Sequence, residues 1–152
     1  LHLTPPFASL LAATLISAAA AADTTSPDTT GQTAYLTHCA ACDLETGQGV
    51  PSACPPLDER LGRWAATEAG RGYLVSAVGN GLFGLITVND VQYAGAMPQM
   101  KHLAAGEIAG ALTFAVRTFG GATDAAPFTA EELTSRLARL GNAQSRSLRP
   151  GD

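Results

Sequence analysis

Basic residues are scarce in this chain: 9 Lys and Arg stand against 13 Asp and Glu in 152 residues, a formal charge of -4. No stripe of positive charge exists to neutralise phosphates, which argues against a nucleic-acid partner. The mild acidity is compatible with docking to a basic protein. Long apolar runs are equally scarce. The one present, FASLLAATLISAAAAA over residues 7–22, is shorter than the roughly 20 residues of a membrane span, and no second run follows it. Its small-residue A-x-A ending reads as the close of a secretory signal peptide cut after about Ala22, although the preceding LHLTPP lacks the usual positive charge. The expectation is an exported protein, periplasmic or secreted, with no membrane span after cleavage. Also missing are a Gly-rich phosphate loop, a Ser/His/Asp set and a carboxylate pair arranged for acid–base work, so the chain does not read as an enzyme.

What remains divides into four parts. Residues 1–22 are the signal peptide and 23–30, DTTSPDTT, a polar linker. Residues 31–120 form the main domain, and 121–152 a C-terminal extension. Within the domain, GQTAYLTHCAA reads as a short helix with Tyr35, Leu36 and Cys39 on one side. Gly47, Gly49, Pro51, Pro55 and Pro56 then enforce a loop. A second helix is expected over Ala65–Val78, with Trp64, Leu74 and Val78 facing inward. NGLFGLITVNDVQYAGAMPQM reads as turn and extended chain, and a third helix covers about Ala104–Phe119, with Ile108, Leu112 and Ala115 in helical order. In the extension, Thr129 and Glu132 have the spacing of a capping box for a helix near 129–140. Asp58, Glu59, Glu131 and Glu132 read as solvated faces and loop caps. The whole is a small all-α protein with long loops, an arrangement that tends to surround a bound group.

Residues 38–57, HCAACDLETGQGVPSACPPL, concentrate the chemistry. Cys39 and Cys42 are three apart, and Asp43 follows where a histidine would complete C-x-x-C-H, the signature of c-type haem attachment. The chain has 3 histidines, and none is placed to substitute. His2 leaves with the signal peptide. His38, five residues before Asp43, points about 140° around a helix from it. His102 lies close in sequence to Met97.

In order along the chain, CAACD, GQGVPSACPPL, YLVSAVGNG, GLITV, YAGAMP and LAAGEIAGALTFAVRTFG resemble the class I c-type cytochromes, from about Gly31 to Gly120. The resemblance implies an all-α cytochrome-c-like fold and one-electron transfer to a redox partner protein. It places Cys39 and Cys42 at the thioether positions of haem c and Met97 at the position of the distal iron ligand. A carbonyl of Pro55 or Pro56 stands where the proximal histidine is oriented. Asp43, in that histidine's place, is shorter and a harder anionic donor.

A second departure opens an alternative. Cys54 occupies a loop position that the family fills with an apolar or aromatic residue, so three thiols and the Met97 thioether are expected around one hollow. Soft sulfur donors select Cu(I), so a haem-free copper site built from Cys39, Cys42, Cys54 and Met97 stands beside the haem reading. A plain Cys39–Cys42 disulfide, or a thiol-exchange pair, is the third possibility. Against the latter, the pair sits at a helix C-terminus, where the dipole disfavours a thiolate.

Overall fold

Small residues at one crossing let the first and last helices of the domain pack tightly. In the computed structural model, which describes residues 27–141 and 145–151, α1 (Pro27–His38) lies against α5 (Ala105–Thr118). A methyl group at Gly31 would stand 2.5 Å from the Gly110 carbonyl oxygen, so the crossing depends on both glycines. Tyr35, 1% exposed, fills the adjacent space, its ring centroid 5.3 Å from that of Phe114 and 5.2 Å from that of Phe119. The expected signal peptide lies outside the described residues. The expected linker is helical from Pro27 on, a residue suited to a first helical turn, which lacks partners for its N–H groups.

The helix expected over Ala65–Val78 is α4 (Glu68–Asn80), which starts three residues late and runs two further, and a separate short helix, α3 (Arg60–Ala65), precedes it. Thr67 separates them: its backbone is extended, and its hydroxyl accepts a hydrogen bond from the Gly70 N–H at 3.0 Å. Leu74 and Val75 are buried in the main core, while Trp64 is only half-buried and meets Tyr73 edge-on at 5.1 Å.

After α4 the chain forms one antiparallel hairpin, β1 (Ile86–Val88) and β2 (Val91–Tyr93). Its two-residue turn puts Asn89 and Asp90 at φ 50° and 61°, the left-handed pair that a tight hairpin requires. Ile86, Val88 and Tyr93 make a small second cluster with Leu82, apart from the main core to which Leu74 and Val78 belong.

The extension forms α6 (Ala130–Leu140) and a 3-10 turn, Ser145–Leu148, both packed on α4. The Thr129 hydroxyl accepts from the Glu132 N–H at 3.1 Å, as a cap should. The Glu132 carboxylate corrects the sequence reading. It is not a solvated face but is held by Arg71 and by Arg136 at 2.8 Å, and Arg136 also binds Glu68 at 2.8 Å. Beneath them, the Arg71 guanidinium lies 3.9 Å from the centroid of buried Phe128, and Leu133 is 1% exposed. No helix among the described residues is long and apolar enough to cross a membrane.

Candidate cofactor-binding site

The cysteine segment begins where α1 ends. Cys39 separates α1 from the short α2 (Ala40–Asp43), and its carbonyl accepts the N–H of Cys42 at 3.1 Å and of Asp43 at 3.0 Å. Leu44 then turns to φ 62°, its carbonyl receiving the buried Tyr35 hydroxyl at 2.6 Å. Gly49, at φ 67°, brings the loop back against α2 by donating its N–H to the Asp43 carbonyl at 3.0 Å. Any side chain there would strike the carbonyls of Cys54 and Pro55.

That return sets Cys54 beside α2. Val50 and Cys54 exchange two backbone hydrogen bonds of 2.8 Å around Ser52, which brings Cys54 near enough for Cys42 to act on its thiol. Cys42 is exposed; Cys39 and Cys54 are half-buried, and all three are free thiols.

Met97 sits on a strap that packs against the Cys54 loop. Its backbone exchanges hydrogen bonds with Leu82 at 2.9 and 3.1 Å, which fixes the strap to the end of α4. Two residues earlier, Gly95 is pressed on the Ala53 carbonyl, and the Ala94 N–H donates to the Ser52 carbonyl at 3.2 Å. The strap bearing Met97 therefore lies on the loop bearing Cys54.

The electrostatics mark one shared low-dielectric spot. Burial pushes the Asp43 carboxyl up from 3.8 to about 6. Burial, then the charges of Asp43 and Cys42, pushes the Cys39 thiol up to about 11. The Tyr35 hydroxyl rises for the same first cause, helped by Asp43 and Cys39. The Cys54 thiol is raised by burial and then by Cys42 and Asp43. In each case the missing water disfavours the charged form.

Neither described histidine is brought to Asp43. His38 is turned to α5, its Nε2 3.7 Å from the Glu107 carboxylate, and His102 is exposed. The Pro56 carbonyl is taken by the Arg60 guanidinium at 3.3 Å, which also binds Asp58. Arg60, 3% exposed, and Tyr35 are site-flanking residues that the motif reading missed. The D-x-R spacing at 58–60 was the available signal for Arg60, and for Tyr35 it was its place on the Cys39 side of the first helix. Among the described residues, no three His, Cys, Asp or Glu side chains converge in the manner of a metal site.

The donor set fits haem in part. The strap that carries Met97 packs on the loop that follows the two thiols at C-x-x-C spacing. Val50 and Phe83, 37% and 55% exposed, leave apolar surface beside the two loops for a flat apolar group to cover. The residue after Cys42, where the resemblance expects an imidazole, is Asp43.

A small all-α chain in which a helix-end C-x-x-C, a glycine- and proline-rich loop and a methionine strap close on one another has the cytochrome-c-like fold. The chain is similar over 105 residues to cytochrome c-552 of Thermus thermophilus, at 38% identity over 67% of this chain and 80% of that protein. To cytochrome c-552 of Thermus thermophilus strain ATCC 27634 it is 37% identical, over 67% of this chain and 71% of the relative. No family model matches the chain. The chain belongs to the cytochrome c family.

Proposed function

We propose that this protein is an exported one-electron carrier that meets a redox partner protein in the periplasm or outside the cell. Cys39 and Cys42 would hold haem c through thioether bonds and Met97 through its sulfur; bound haem supplies the one-electron couple. The chain's own contribution is the enclosure. Tyr35 and Leu44 anchor the attachment turn, Gly49 folds the loop onto it, and the pairing of Met97 with Leu82 holds the strap opposite. The observation that carries this reading is the seating of the Met97 strap on the Cys54 loop through Gly95 and Ala53. Asp43 offers a short carboxyl, largely neutral below pH 6, where the family has imidazole.

The test is the intact mass of the chain expressed with haem-attachment machinery. One haem per chain is expected, in higher yield for Asp43→His than for the wild type. Bare polypeptide in both would overturn the reading.

A second reading is a haem-free Cu(I) site of Cys39, Cys42, Cys54 and Met97, supported by the influence of Cys42 on the Cys54 thiol. It requires the three thiols to draw together around the ion, since they do not converge in this structure. Competitive Cu(I) titration decides it: the affinity should fall in Cys54→Ser, and an unchanged affinity removes Cys54 from the site.

A further inference from the structure

Cys54 has no role in thioether attachment at a C-x-x-C pair, yet the fold delivers it to one member of that pair. The Val50–Cys54 bridge fixes its backbone, and Gly49, whose N–H is bound to the Asp43 carbonyl, is pressed against the Cys54 carbonyl, so that Cys54 is brought beside α2 and feels the charge of Cys42. Two cysteines brought together by backbone contacts of this kind can reach bonding geometry through side-chain rotation. Cys42 is exposed, so an oxidant reaches it first, whereas Cys39 is half-buried at the helix junction.

We propose that Cys42 and Cys54 are an oxidisable pair that closes to a disulfide across the attachment loop. With a small disulfide as oxidant, the Cys42 thiolate attacks one of its sulfurs, forming a mixed disulfide and releasing one thiol. The Cys54 thiolate then attacks the Cys42 sulfur and releases the second. Two protein thiols are oxidised, the oxidant is reduced to two thiols, and these carry away both protons. A sulfur so bound cannot also form a thioether, so the disulfide withholds Cys42 from attachment and leaves Cys39 alone. That consequence rests on the haem reading; the cross-link does not.

The experiment uses the full chain without haem, treated with oxidised glutathione under native conditions, quenched with iodoacetamide and digested with a glutamyl endopeptidase. Residues 1–60 contain no Lys or Arg before Arg60, so trypsin leaves all three cysteines on one peptide, whereas Glu45 lies between Cys42 and Cys54. The expected product joins the fragment ending at Glu45 to fragment 46–59. The link should persist in Cys39→Ser and vanish in both Cys42→Ser and Cys54→Ser. In guanidinium, where proximity in sequence alone decides, the wild type should instead link Cys39 to Cys42. Separate fragments with a Cys39–Cys42 link under native conditions overturn the proposal. So do glutathione adducts without a cross-link, or a cross-link that survives Cys42→Ser. Because the mapping needs no haem, its result stands whether or not the chain proves to carry one.

Discussion

Replacing Asp43 by Asn keeps the shape of the side chain and removes its ionisation. In the folded, haem-free chain, burial holds this carboxyl at about 6 against its ordinary 3.8, the value to which it returns on unfolding. The folded state therefore binds the proton more tightly. The resulting stability is fully present below about pH 4 and is lost as pH rises through about 6, because the folded chain must then carry a buried charge. The gap from 3.8 to about 6 corresponds to roughly 3 kcal/mol. Asp43 is only half-buried and its loop can relax, so about 2 kcal/mol is the expected difference. Glu68, Glu131 and Glu132 are held below their ordinary values and pull the other way, losing stability as pH falls. Comparing variant with wild type cancels them. Urea unfolding under reducing conditions should show Asp43→Asn equal to wild type at pH 4 and about 2 kcal/mol more stable at pH 8. The same difference at both pH values, or a less stable variant at pH 8, would refute a desolvated carboxyl at this position.

Glu132→Gln should cost roughly 2–4 kcal/mol at pH 7, since it removes the anion shared by two largely buried guanidiniums, and should flatten the loss of stability on acidification; denaturant melts at pH 7 and pH 4 read both effects. Gly49→Ala should destabilise by at least about 1 kcal/mol, because the position is left-handed and faces two carbonyls. It should also part Cys54 from Cys42, which faster alkylation of Cys54 would register; an unaltered melt and an unaltered alkylation rate would contradict the loop geometry.

Local pattern carried much of this architecture. The apolar spacing of Ile108, Leu112 and Ala115 marks α5, all three residues being buried, and Thr129 caps α6 from the expected position. The gap between α3 and α4 was hidden, because Ala66 and Thr67 are acceptable inside a helix and only Gly70, packed against the Trp64 backbone, forces the break. Glu132 was misread because its partner Arg71 lies 61 residues away, beyond the reach of any pattern read along the chain. The site shows the same division. C-x-x-C and YAGAMP were visible as motifs, but the return of the Cys54 loop to α2 and the partial burial of Asp43 arise from a loop folding back, and two left-handed glycines only hint at it.

The clasp of Arg71, Glu132, Arg136 and Glu68 has a consequence for how the domain is delimited. Leu137 lies over Gly79 and Ser145 over Ser76, so the tail splints the rear of the helix whose far end feeds the methionine strap. A protein shortened at residue 120 would keep every sulfur discussed above and yet lose that splint, baring the seat of Phe128 and stripping Arg71 of its carboxylate. Anyone seeking a minimal version of this fold should cut elsewhere.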